Sequence, residues 1–239
     1  MNDTRIQLHW AAQIAAGVGR TVIPQRPDDS NTAFGWSDEH RTLVQEPVGG
    51  IIAAVRPLDL VLLAIERDRV NEFPLSGRTL DEGFLFFEER FGRSLNRPNV
   101  ELPEHAVACG GAFLPVGADL ARLEQGFAAA AAQLERIRSR DPRASEVRCW
   151  PHHFDIATLM DAGNGRTIGV GWVPGDAQLP EPYWYVTPYP YPADRFNAPA
   201  LPSGFWNTDG WFGAVLNEPG ADVLSFLDAA IESCERFGG

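Results

Sequence analysis

The apolar stripe Leu120, Leu123, Phe127, Ala130, Leu134 and Ile137 recurs at intervals of three and four residues, the period of one helix face. It predicts a long helix that ends before Asp141-Pro142, because a residue preceding proline avoids helical backbone. The stripe is too short for a coiled coil, and its small middle, Ala128 to Ala132, suits close packing on a sheet. This helix constrains the rest of the fold because it stands between two blocks of short apolar runs.

In the first block, Trp10, Ile14 and Val18 lie at helical spacing within Ile6 to Val18, with Thr4 or Asp3 as the expected cap. His9 and Gln13 are four apart and share a face, which favours solvent contact or a structural hydrogen bond over a site. After the polar loop Pro24 to Asn31, the runs Ala33 to Trp36, Leu43-Val44, Ile51 to Val55 and Leu58 to Ile65 read as a meander, broken at Pro57. Thr79-Leu80-Asp81-Glu82 is a capping box: the Thr hydroxyl accepts from the third amide while Glu82 reaches back. Leu80, Phe84, Phe87 and Phe91 follow on one face, with Gly92 as the stop.

In the second block, Val147 to Trp150 reads as a strand, and Phe154 to Met160 with Arg166 to Val173 as a hairpin about Asp161 to Gly165. Pro182 to Thr187 is a further strand, ended by Pro188, Pro190 and Pro192. Trp211 to Leu216 adds one more, and Val223, Leu227, Ala230, Ile231 and Cys234 mark a closing helix after Pro219. Segregated elements of this kind predict α+β with antiparallel sheet, two long packing helices and a C-terminal helix. Residues 1–239 are expected to form a single unit, with a soft boundary near 96–115.

Composition excludes several chemistries. All 20 basic residues are arginine, so no Schiff-base lysine exists for pyridoxal phosphate and no Gly-Lys-Ser/Thr for a phosphate loop. No GxGxxG occurs, which removes the usual dinucleotide fingerprint. A net charge of −12 repels phosphate backbones and argues against a nucleic-acid partner. Cys109, Cys149 and Cys234 form no CxxC. No signal-like or membrane-spanning run is read, so a reduced, cytoplasmic, soluble protein is expected.

Three segments carry the candidate chemistry. Val147 to Asp155 holds Cys149, Trp150, His152, His153 and Asp155. If extended, it sets His153 and Asp155 on one face, where a carboxylate fixes a histidine tautomer for general-base work. His152, His153 and Asp155 are equally a partial ligand set for a divalent metal, completed from His9, His40, His105, Asp176 or Glu181. Gly169 to Asp176, with Trp172, combines strand glycines and a turn Asp. Pro182 to Pro192 holds all four tyrosines; Tyr183 and Tyr185 form an aromatic platform suited to flat ligands or sugars.

VRCWPHHFDIATL, IGVGWVPGD and EPYWYVTPYPYP, with LHWAAQ and FPLSGRTLDE, resemble an uncharacterised bacterial family, a domain of unknown function. The resemblance implies landmarks but neither substrate nor catalyst. Two functions stay open. One is binding of a small organic ligand through Trp150, His152, Trp172, Asp176, Tyr183 and Tyr185. The other is hydrolysis, with His153 and Asp155 as catalytic pair or a divalent metal on His152, His153 and Asp155.

Overall fold

The computed structural model describes residues 2–193 and 195–237. Among them, four α-helices and two antiparallel sheets make an α+β fold. The chain divides into two units: Met1–Ala128 with Arg148–Phe154, and Ala129–Val147 with Asp155–Gly239. Residues 96–115, marked as a soft boundary in the sequence, lie within the first. No described helix is long and apolar enough to cross a membrane.

The first unit is built on a meander of β1 (Gly35–Ser37), β2 (Thr42–Val44), β3 (Ile52–Arg56), β4 (Val61–Glu66) and β5 (Arg69–Pro74), hydrogen-bonded in sequence order. The chain turns at residues 57–60, where Leu60 is left-handed with φ 54°, so β4 starts later than its apolar run suggests. The edge strand β5 has no apolar run to announce it; its sequence RVNEFP is largely exposed. Helix α1 (Asn2–Val22) packs on β3 and on α2 (Leu80–Phe91). It begins ahead of both expected caps, and it is buried nearly all round: Leu8, Ala11, Ile14 and Ala15 are inaccessible, and Gln7, His9 and Gln13 are buried too. Buried polar groups of this kind need fixed partners. Gly83 brings α2 close, since a Cβ there would stand 2.6 Å from Ile14 Cδ1. The capping box is present: Thr79 Oγ1 accepts from the Glu82 amide at 3.3 Å, and the Thr79 amide donates to Glu82 Oε2 at 2.8 Å. Helix α3 (Gly117–Arg140) contributes its first half here, with Leu120, Leu123 and Phe127 buried. The short β6 (Arg148–Trp150) joins this unit through Phe34, each residue of the Phe34–Cys149 pair donating to the other's carbonyl.

In the second unit the strands β7 (Asp155–Gly163), β8 (Arg166–Val173), β9 (Tyr183–Tyr189), β10 (Phe205–Asn207) and β11 (Gly213–Leu216) lie in the order β10-β11-β9-β8-β7. The β7–β8 hairpin turns at Asn164 and Gly165, both at positive φ, as a tight antiparallel connection needs. Helix α4 (Val223–Arg236) packs on β8, β9 and β11 and is capped by Asp222, which accepts from the Ser225 amide. One expectation is corrected: Pro188 does not end β9, which continues to Tyr189 with Pro188 opposite Ile168. The neighbour β11 pairs only with residues 184–186, so at Pro188 the strand is a local edge, where a missing donor is tolerated.

Candidate functional site

The first unit carries the histidine pair on a turn rather than a strand. Residues 151–154 are turn, closed by the Phe154 amide donating to Trp150 O at 2.7 Å, with Phe154 left-handed at φ 58°. Strand alternation therefore does not run through His153 to Asp155, and the reasoning that set them on one face fails at this point. His153 is exposed and His152 half-buried, their rings 4.2 Å apart. Partial burial, then the charge of His153, holds His152 below the usual imidazole range, against the opposing pull of Asp29. Trp150 is fixed by its indole N–H on Asp28 O at 3.1 Å. Cys149 is inaccessible, which removes it as a nucleophile for a dissolved substrate.

What holds this turn is α1. His9 Nε2 and Gln13 Nε2 both reach the carbonyl of Pro151, at 2.6 Å and 2.5 Å. The His9 ring lies flat on Phe154, centroids 4.6 Å apart, and Phe154 meets Phe127 edge-on. Burial pushes His9 down to about 4, against the hydrogen bond to Pro151. His9 is thus a neutral donor at neutral pH, a structural post. Of the two roles expected for this i,i+4 pair, solvent contact or a structural hydrogen bond, the buried pair takes the second, and it positions the histidine turn.

The second unit brings the tyrosines together. On β9, Tyr183 and Tyr185 alternate onto one face, opposite Val173 and Gly171 of β8. Gly171 in turn pairs with Ala157 of β7. Tyr185, Gly171 and Ala157 therefore form a row across three strands. A Cβ on Gly171 would stand 2.7 Å from two Tyr185 ring carbons and 2.7 Å from Ala157 Cβ. The missing side chain is what lets the Tyr185 ring lie across β8. Its hydroxyl then donates to Asp155 Oδ2 at 2.5 Å, two residues from Ala157 on the same face. Asp155 is buried while Tyr185 stays half-buried. Trp211 completes the wall, edge-on to Tyr185 at 6.3 Å and stacked on Tyr183 at 6.5 Å.

Asp176 serves the loop before β9. Its Oδ1 accepts from the amides of Gln178 and Leu179, both at 2.7 Å, and its Oδ2 accepts from Tyr183 at 2.6 Å. Those three bonds make it a structural anchor for buried Tyr183. Trp172 pairs with Trp184 and so lies on the sheet face opposite to Tyr183 and Tyr185. Of the six residues expected to bind ligand, the structure unites Tyr183, Tyr185 and Asp176, sets Trp172 on the other face, and places Trp150 and His152 in the first unit.

The sequence reading set Gly171 among the strand glycines of a candidate wall, but it did not name Trp211 as a site residue or foresee that Gly171 faces Tyr185. A strand glycine facing a tyrosine is legible only once the register is known. The unit also has a cavity of about 300 Å³ over Ile137, Met160 and Ile231. Its rim is tied up in ion pairs, Arg140 with Asp228 and Arg143 with Asp141 and Glu235.

Among the described residues, no three His, Cys, Asp or Glu side chains gather closely enough to hold a metal ion. His152, His153 and Asp155 thus do not fit the three- or four-ligand set a divalent metal takes. Of the other candidates, His105 Nε2 donates to Asp3 Oδ1 and its Nδ1 accepts from the Val107 amide, and His9 and Asp176 are engaged as above. Set against family models, curated proteins and solved structures, the chain matches none.

Proposed function

We propose that this protein binds a small organic ligand, without catalysis, on the tyrosine face of the second unit's sheet. The observation that carries the reading is the placement of Tyr185. Its ring is half-exposed, lies on a glycine floor, is oriented by a buried carboxylate and has Trp211 at its edge. Rigid aromatic side chains with fixed polar tips are the usual walls of small-molecule sites, because little side-chain freedom is lost on binding. The hydrolytic alternative needs His153 to work with Asp155, and the turn at 151–154 leaves that pairing without geometric support. A cytoplasmic setting, with all three cysteines as thiols, goes with this proposal.

Fluorotryptophan-labelled protein tests it. The Trp211 resonance is assigned with Trp211→Phe, and benzoate, indole, butylammonium and methyl glycosides are titrated to millimolar concentration. At least one is expected to move the Trp211 resonance, with smaller changes at Trp150 of the first unit. A Trp211 resonance unmoved by every compound counts against the proposal.

A further inference from the structure

The tip of the β7–β8 hairpin carries a chemistry that ligand binding does not use. Asn164 is the one asparagine of the chain followed by glycine. Asn164 and Gly165 are the whole connection between the strands, closed by the pair Gly163 and Arg166. Residues 163, 164 and 165 have φ of 76°, 55° and 73°, and a turn that needs left-handed backbone at both central positions favours Asn-Gly. All three residues are exposed. A Cβ added at Gly163 or Gly165 would meet nothing within 4 Å, so the tip stands clear of neighbouring side chains. Asp161, the closest carboxylate along the strand, is turned to the Gly163 amide, which donates to its Oδ1 at 2.8 Å. Among the described residues none holds the Asn164 side-chain amide.

An asparagine side chain can be attacked at Cγ by the backbone nitrogen of the next residue, which closes a five-membered imide. The side chain of that next residue crowds the nitrogen, and glycine has none. Other exposed asparagines, such as Asn99 and Asn217, precede Val100 and Glu218. Asn207 precedes Thr208, is buried, and gives its amide protons to Asp209 O and Trp211 O. For the ring to close at Asn164, the Gly165 nitrogen has to swing towards Cβ, out of the left-handed conformation. The turn therefore has to open before it reacts. Opening costs little at an exposed tip with two glycines and no packed side chain, because such segments sit at the low end of local stability.

We propose that Asn164 is the site at which this protein deamidates, through an imide with Gly165. The Gly165 nitrogen bonds to Asn164 Cγ, the Cγ–Nδ2 bond breaks, and ammonia leaves with the proton that the Gly165 amide gives up. Water then opens the imide. Cleavage between the nitrogen and Cγ gives aspartate. Cleavage between the nitrogen and the original backbone carbonyl gives isoaspartate, with the chain routed through Cγ and lengthened by one methylene. In this lysine-free chain trypsin cuts only after arginine, and residues 149–166 form a peptide whose only side-chain amide is Asn164. The folded protein is aged at mildly alkaline pH beside a guanidinium-unfolded sample, and the tryptic peptides are weighed. In the folded protein this peptide is expected to gain the mass difference of an acid over an amide ahead of every other asparagine peptide. Part of the product is expected to be isoaspartyl, counted by enzymatic methylation of its carboxylate. Asn164→Gly, which suits the same turn, should lose that methylation signal from the peptide. An amide that persists in the folded protein while the unfolded sample converts overturns the proposal, because the closed turn then protects Asn164. Conversion led by another asparagine, a wholly aspartyl product, or no conversion of this peptide in either sample overturns it as well.

Discussion

Gly171→Ala puts the row Tyr185, Gly171 and Ala157 under direct test. The added Cβ would stand 2.7 Å from ring carbons of Tyr185 and from Ala157 Cβ, well inside the 3.5–4.0 Å at which carbons attract. The ring has to lift, and its hydroxyl then leaves Asp155. Overpacking of this kind costs roughly 1–3 kcal/mol, and a lost hydrogen bond to a charged group adds about 1.5–3. Replacing a strand glycine returns about 0.5–1 kcal/mol. The net expectation is a destabilisation of about 2–4 kcal/mol in urea unfolding at pH 7. Gly169→Ala is the control. Its Cβ would meet Thr187 Cγ2 at 3.2 Å, the Tyr185 ring at 3.7 Å and Thr187 O at 3.9 Å, so its effect should stay under about 1 kcal/mol. In a Tyr185→Ala background the ring contact is gone and only the Ala157 contact remains. The cost of Gly171→Ala should then fall by about 1–2 kcal/mol, the size of coupling expected for residues in contact. An equal cost with and without the Tyr185 ring would refute the reasoning.

Three further outcomes are expected. Burial holds His9 at about 4 against an ordinary 6.5, so between those values the unfolded chain binds more protons and stability falls as the pH drops; the full loss is about 3 kcal/mol by linkage. His9→Gln keeps a donor for Pro151 but does not titrate, and equilibrium unfolding from pH 7 to 4 should show a correspondingly flatter profile. Thr79→Ala removes a formed capping box and should cost about 1 kcal/mol in a denaturant titration, with no change in any ligand signal at Trp211. A thiol reagent at neutral pH should label Cys109, which is exposed, ahead of Cys149 and Cys234, which are buried; burial also pushes Cys234 up to about 12, so mass spectrometry that finds Cys234 labelled first would contradict the core.

The fold was legible where sequence period and punctuation agree. The α3 stripe, the capping box of α2 and the β7–β8 hairpin all follow from local chemistry, and all are present. What escaped was set by neighbours. β5 is polar because it is an edge, so it lacks the apolar run that marks a strand. β9 runs past Pro188 because β11 is too short to need a donor there. At the candidate site, aromatic density pointed to Tyr183 and Tyr185. The alternation rule misled at Pro151 to Phe154, because a left-handed Phe154 turns the chain just where strand geometry was assumed. Trp172 has the right chemistry but the wrong parity, and parity relative to Tyr185 is a matter of register between strands.

The most direct test of the Tyr185 site is a contact measurement with protein whose tyrosine rings alone are isotopically labelled. All four tyrosines lie between positions 183 and 191, so Tyr183→Phe, Tyr189→Phe and Tyr191→Phe assign the Tyr185 ring by elimination. With benzoate, indole, butylammonium and methyl glycosides added in turn, magnetisation transfer from the ligand protons to the Tyr185 ring protons is predicted for at least one. Transfer to Tyr189 or Tyr191 in place of Tyr185, or to no tyrosine with any of these compounds, would contradict the site.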